Sequence, residues 1–295
     1  MAIKKLPSTG DMPRTTGVPE SLVAGGDADS AGFPWEGRTF EHHETAFADD
    51  DGSTPESYLV ALGAMREAAA GLAGAADQAA AFALLGQRRA ELIVALSGIR
   101  LLIPLVAEAG DIGETPDGRI VEKSQELSIV TVAAPDGRRV MPVFTSAEAM
   151  RAWNAEARPI PVPAPQAAVA AAQEETDLLI IDPASGESRV GIRRPELKAL
   201  ALGEAQLPAW ADVHVRNAFL EASSGDPRLQ ALAVIPGDPT GELLSAETEV
   251  RLLVESGLSR EELADLVTSL QQRWAANSVI AERVDSLKVV PQMPA

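Results

Sequence analysis

Apolar residues recur at helical spacing through Leu59, Leu62, Met65, Ala69 and Leu72. This predicts an amphipathic first helix opening at Thr54-Pro55, an N-cap followed by proline at the first helical position. A second, alanine-rich helix is expected over Phe82 to Leu96, and the Leu, Ile and Val run from Arg100 to Ala107 reads as a buried strand. Leu127 to Val132 and Val140 to Phe144 flank Pro135-Asp136-Gly137-Arg138. Asp-Gly supplies the positive dihedrals of a tight turn, so these two runs are expected to pair as an antiparallel hairpin. Thr145-Ser146-Ala147-Glu148 fits a capping box, with Met150 and Trp153 on the inner face of a short helix.

Arg158 to Pro165 carries a proline at every second position. Each ring fixes its own φ and biases the residue before it away from helix, so the segment must be extended, and it reads as a rigid connector. A helix over about Gln166 to Glu175, a strand over Leu178 to Asp182, a turn, a short strand near Arg189 to Ile192 and a helix opened by Pro195 follow. Beyond Leu207 come a helix holding His214, Phe219 and Leu220, a strand over Leu229 to Ile235 and another over Glu249 to Glu255. Ser259-Arg260-Glu261-Glu262 is a second capping box, ahead of an apolar stripe of Leu263, Leu266, Val267, Leu270 and Trp274. A helix over Val279 to Val284 and a strand over Leu287 to Val290 end the pattern.

The order of elements predicts an α/β (α+β) protein of two small domains, 53–205 and 206–295, with mixed or antiparallel sheets and helices packed on one face. Residues 1–52 have neither period, are rich in Gly, Pro, Asp, Ser and Thr, and read as a disordered arm. Phe33, Trp35, Phe40 and Phe47 punctuate that arm and are the candidate contacts for a partner, since leaving four aromatic side chains in water is costly.

Composition narrows the chemistry. The chain has no cysteine, which removes disulfides, thiolate nucleophiles and thiolate metal sites. Its formal net charge is −18, a field that repels nucleic acid and anionic lipid, so neither is expected as a partner. The most apolar run, Ile99 to Ala107, is broken by Arg100 and Pro104 and is far short of a bilayer span, and no signal peptide is readable. The cytoplasm is the expected compartment.

Glu122-Lys123-Ser124, Pro135-Asp136-Gly137-Arg138-Arg139, Pro142-Val143-Phe144-Thr145-Ser146, Trp153, Ala157-Arg158-Pro159-Ile160-Pro161-Val162 and Ile181-Asp182-Pro183 together resemble the N-terminal domain of the SseB (enhanced serine sensitivity) family. The form is similar to that of high-GC Gram-positive bacteria, which carry a strand-helix-strand tail like Val250 to Val290. The resemblance implies the fold of residues 53 to 290 and brings no reaction, cofactor or catalytic residue with it. The family name refers to a phenotype in serine.

Three histidines are the only imidazoles. His42-His43-Glu44 begins like a zinc-protease motif, but Phe47 stands where the second helical ligand belongs. Asp49-Asp50-Asp51 lacks the alternation of a calcium loop and reads as an exposed acidic lead-in to the first helix. No phosphate-binding glycine loop and no nucleophile elbow occurs. No catalytic, cofactor or metal site is therefore assigned. Arg139, Thr145, Ser146 and Arg158 are the candidate contacts for an anion, Thr145-Ser146 because hydroxyls and helix N–H groups meet at a strand-to-helix junction. The expected role is a non-enzymatic, cytoplasmic binding or regulatory protein acting through an unidentified protein partner. The alternatives are an amino-acid-binding protein or enzyme linked to serine metabolism, and a factor associated with the translation machinery.

Overall fold

Helix α1 (Glu56–Gly71) buries Tyr58, Leu62 and Met65 along one stripe and packs antiparallel on α2 (Gln78–Ser97), which buries Leu85, Leu92, Ile93 and Leu96. The computed structural model describes residues 47, 50–109, 112–114, 120–122, 125–134, 137–174 and 176–294, with backbone alone from 107 to 129. These fall in the compact unit Asp49–Ala295, apart from Phe47, which lies half-buried in a turn. The arm aromatics Phe33, Trp35 and Phe40, and His42 and His43, lie outside the described residues.

Both helix starts differ from expectation. Pro55 is the N-cap residue of α1 and gives no side-chain cap, because Thr54 Oγ1 is engaged 2.8 Å from Thr145 Oγ1 instead. Helix α2 begins one turn early, where the Asp77 carboxylate accepts the Ala80 N–H.

Strand β1 (Arg100–Ala109) is central in an antiparallel sheet between β4 (Gln125–Ile129) and β7 (Arg158–Pro163), and β2 (Ile112–Glu114) pairs with β3 (Ile120–Glu122) as a separate ribbon. The proline-rich segment is thus an edge strand rather than a connector. Pro159, Pro161 and Pro163 oppose Pro104, Leu102 and Arg100, while Ile160 and Val162 oppose Ile103 and Leu101. Prolines at alternate positions put every missing N–H on one side, where no ladder bond is required, and a proline-bearing edge resists further pairing. Leu102, with its polar backbone groups turned from β7, exchanges both backbone bonds with Phe144, which joins this sheet to the next.

That next sheet has the order β5-β6-β8-β9, from β5 (Val132–Ala133), β6 (Arg139–Val143), β8 (Leu178–Ile181) and β9 (Val190–Arg193). The expected hairpin is here, but only Val132 and Ala133 of its first arm pair with β6. The arm breaks at Val130, and the earlier residues pair with β1. Gly137 holds φ +85° at the turn with nothing near an added Cβ, so Gly137→Ala is expected to cost about 1 kcal/mol from backbone strain alone. Thermal melting checks this, and an unchanged midpoint would contradict it.

The β6 to β8 connection passes through α3 (Ala147–Trp153), β7 and α4 (Ala164–Gln173), and makes the β6–β8 pair parallel. After β9, α5 (Arg194–Leu202) begins at a junction tied by Glu196, and Gly203 ends it in the left-handed conformation at φ +66°. Then α6 (Val213–Ala222), β10 (Leu229–Pro236), β11 (Thr248–Val254), α7 (Arg260–Ala275), α8 (Ser278–Arg283) and β12 (Leu287–Gln292) complete the chain, with sheet order β10-β11-β12. Strands β10 and β11 are antiparallel, while β11 and β12 are parallel across the α7–α8 crossover. The capping box at Ser259 and Glu262 is formed as expected.

The fold is mixed α/β with eight α-helices among the described residues. Residues 205 and 206 divide the sheets, but one apolar cluster runs from Tyr58 through Leu200 and Phe219 to Trp274 and Ile280. Among the described residues no helix is long and apolar enough to cross a membrane.

Candidate functional site

The parallel strands β6 and β8 end at Phe144-Thr145 and Asp182, and a crevice beyond the carboxyl ends of parallel strands is the usual seat of a ligand in α/β folds. Thr145 is fully buried; its N–H and Oγ1 donate to the two oxygens of Asp182, at 2.9 and 2.6 Å. Asp182 is 1 % exposed and sits at φ +47°, and burial pushes its carboxyl above the usual range against hydrogen bonds from Thr145 and Ser188. Arg100 donates from Nη1 to the Thr145 carbonyl and from Nη2 to the Ser53 carbonyl and to Asp50 Oδ1, the last at 2.6 Å. That bond holds the Asp50 carboxyl below its ordinary value. Asp50 is exposed, as expected of the acidic lead-in, and through this bond it also fastens the chain onto β1.

Ser146, not Thr145, caps α3, its Oγ accepting the Ala149 N–H at 3.1 Å, and no capping box forms because Glu148 stands one position too early. A cleft of about 360 Å³ adjoins Ser146 and Thr54, and its walls carry Glu148 and Glu187. Arg139 and Arg158 are exposed and lie elsewhere. Arg139 is at the opposite end of β6 from Thr145, and Arg158 faces Leu105, five positions along β1 from Arg100. The structure thus brings Thr145 and Ser146 together and joins Arg100 to them. Arg100 had a signal in the sequence: an arginine opening an apolar strand has to find an internal acceptor.

A second polar cluster lies between the sheets. Arg89 is buried and donates from Nε and Nη2 to the Glu196 carboxylate at 2.7 and 2.6 Å, and from Nη2 to the Gly191 carbonyl at 2.5 Å. Arg193 is buried beside it, with Nη2 2.6 Å from Asp238 Oδ2 and Nη1 2.8 Å from Asp285 Oδ2. The Arg88-Arg89, Arg138-Arg139 and Arg193-Arg194 pairs each put one arginine into ion pairs at or near this junction, since Arg138 also reaches Asp285 at 2.9 Å. Glu247, 4 % exposed, accepts the N–H groups of Ala209 and Asp285, yet burial and the neighbouring Glu196 push its carboxyl up to about 7.

A raised folded-state value means that the folded chain holds a proton the unfolded chain has already released. This stabilisation is complete below about pH 4.5 and is lost as pH rises toward 7, by up to roughly 3 kcal/mol. The unfolding midpoint is expected to fall between pH 5 and pH 7, and Glu247→Gln is expected to flatten that slope. A slope equal in both proteins would contradict the assignment.

The third feature is an apolar groove of about 660 Å³ on the outer face of the four-stranded sheet. Along β6, β8 and β9, Met141, Val143, Leu179, Ile181, Val190 and Ile192 face the main core; Val140, Leu178 and Ile180 face the other way. The loop after β10 lies over the β9 side of that outer face, with Leu243 packed against Gly191 so closely that a Cβ there would stand 2.1 Å from Leu243 Cγ, and Val140 and Leu178 are buried as well. Leu243 holds φ +60°, its N–H bonded to Asp238 Oδ2 at 2.9 Å. Val132 and Leu244 on the rim are 38 % and 74 % exposed, and Ile180 on the floor is half-buried. Arg189 on the rim gives Nη2 to Glu242, while its Nε is buried without an acceptor among the described residues.

Sequence reasoning missed this groove, although Leu178 to Ile181 carries the signal: four consecutive apolar residues in a strand imply two faces to be covered. Among the described residues no cluster of His, Asp and Glu is arranged to hold a metal ion. Residues 64–199 match the family described as SseB protein N-terminal domain, a span from the middle of α1 into α5 that contains both the Asp182 crevice and the floor of the groove. Neither the curated proteins nor the solved structures yield a match. Residues 64–199, which hold the chain's first two sheets, thus form an SseB protein N-terminal domain.

Proposed function

We propose that the chain is a cytoplasmic binding protein that acts by contact, holding a partner polypeptide against the outer face of its four-stranded sheet. The observation that carries this reading is the apolar groove bounded by Val132, Ile180 and Leu244, on a sheet whose other face is fully packed. The buried acids support it: Asp182, Glu196, Asp238 and Asp285 each bond a partner within the chain, so they are engaged in holding the fold. Phe33, Trp35, Phe40 and Phe47 of the arm are the second contact in this proposal. A groove of this volume also falls in the range that takes small molecules, which favours an amino-acid-sized metabolite as the other reading.

A photo-crosslinking residue placed at Val132 or Leu244 in the full chain, inside living cells, tests the proposal. The expected result is a discrete polypeptide adduct at both positions and none at Val60, which is 65 % exposed on α1 and far from the groove in sequence. Adducts equal at all three sites, or at none, would contradict it. Thermal stabilisation by an amino acid without any adduct would favour the metabolite.

A further inference from the structure

Among the described residues strand β10 is a free edge of its sheet, and its sequence Leu-Gln-Ala-Leu-Ala-Val-Ile-Pro carries no charge. Edges elsewhere are guarded: β7 by alternate prolines, β12 by Lys288 and Pro291, β5 by its two-residue length, and β9 by the bond from Gly191 N–H to the Gly241 carbonyl. On β10 the register fixes which backbone groups point outward. Gly237 N–H donates to the Glu247 carbonyl, so Ile235, Ala233 and Ala231 bond β11, while the N–H and C=O groups of Leu232 and Val234 point to the open side. No group among the described residues bonds them there. A register shift between Leu229 and Ala231 and the proline at position 236 bracket the stretch, which leaves Ala231 to Ile235 free to pair.

We infer that this edge pairs with β10 of a second copy of the chain, antiparallel about a two-fold axis at Ala233. The strand is complementary to itself in that register. Ala233 of one copy faces Ala233 of the other, Leu232 stands opposite Val234 and Ala231 opposite Ile235, so the outward groups of Leu232 and Val234 exchange four hydrogen bonds and none is left over. Leu232 and Val234 lie on the face of β10 that packs on the main core, so their pairing continues an apolar face from one copy into the next. Ala231 and Ala233 are exposed on the other face. Alanine suits the axis, where opposite residues that exchange no hydrogen bond approach to roughly 4.5 Å between Cα atoms. An extended segment of another protein would gain the same backbone bonds, but the two-fold pair matches uncharged strand with uncharged strand and closes both open edges at once. The opposing force is the net charge of −18 on each copy, which acts at long range and is screened by salt.

Sedimentation of the full chain over a range of concentration and salt tests this inference. The mass is expected to rise from 30.9 kDa to twice that with concentration, and the association to tighten as salt is added. Ala233→Glu and Ala233→Lys each set like charges directly opposite at the axis, and each variant alone is expected to associate at least tenfold more weakly. The side chain is exposed, so both variants are expected to keep the circular dichroism of the parent. Mixed in equal amounts, they set glutamate opposite lysine and are expected to pair again. Hydrogen exchange is expected to be slow at the amides of Leu232 and Val234 in the paired chain and fast in either variant alone. A mass of 30.9 kDa under all conditions, association that Ala233→Glu leaves unweakened, or variants that stay apart on mixing would each overturn the inference. Protection of those two amides at single-copy mass would put a different strand on the edge and overturn it as well.

Discussion

Arg193→Met is expected to lower the unfolding free energy by about 3–5 kcal/mol, because it strips the shared counter-ion from two acids that are themselves buried. Arg193 is 4 % exposed and its guanidinium also reaches the Ser245 carbonyl and Ser286 Oγ, at 3.0 and 3.2 Å. Methionine fills much of the volume, so the loss reads the charge rather than a cavity. Asp238 would keep its side-chain bond from Leu243 N–H, and Asp285 its bonds from Arg138 and from Ser286 Oγ. The loop that Asp238 fastens is the one lying over the outer sheet face, so stability and groove shape are expected to fail together. Arg193→Lys keeps the charge without the planar fork and is expected to recover only part of the loss. Denaturant unfolding at fixed pH measures both, and a change below about 1 kcal/mol for the methionine variant would contradict the assigned role.

Trp274→Ala is the second large effect, expected at about 3–5 kcal/mol. The indole is 1 % exposed, meets Phe219 edge-on at 5.3 Å between ring centroids, and donates Nε1–H to Ser223 Oγ at 2.8 Å. Truncation loses the packing and leaves the Ser223 hydroxyl without its donor. Because one apolar cluster extends from Tyr58 to Ile280, this change in α7 is expected to shift a single unfolding transition as a whole. Two transitions, with only the later one moved, would show that residues 206–295 unfold apart from the rest.

Most elements were legible because their signals are local. Gly137 marks a turn wherever its neighbours go, and Ser259 with Glu262 starts a helix whatever packs on it. Pairing is not local, and there the reading failed. Val130 and Thr131 look like the middle of one strand from Leu127 to Val132, yet the chain changes sheets there, because β1 needs a neighbour on its free side. The alternate prolines after Arg158 forbid a central strand but permit an edge, a choice fixed only by the presence of β1. Thr145 and Ser146 were recognised as a junction with hydroxyls, but the acid that holds Thr145 comes from Asp182, 37 residues later. The ion pairs of Arg89 and Arg193 span 107 and 45 residues, so paired arginines on an acidic chain gave no hint of burial.

The central claim is that the groove on the outer side of the four-stranded sheet is open at Val132, Ile180 and Leu244 in the full chain while the inner face is packed. A soluble paramagnetic agent added to protein labelled at Ile, Leu and Val methyl groups measures this directly, since relaxation reports exposure methyl by methyl. The methyls of Val132, Ile180 and Leu244 are expected to broaden strongly while those of Leu179 and Ile181, on the opposite face, stay sharp. Equal protection of Ile180 and Ile181 would mean that the face is already covered and would contradict the claim.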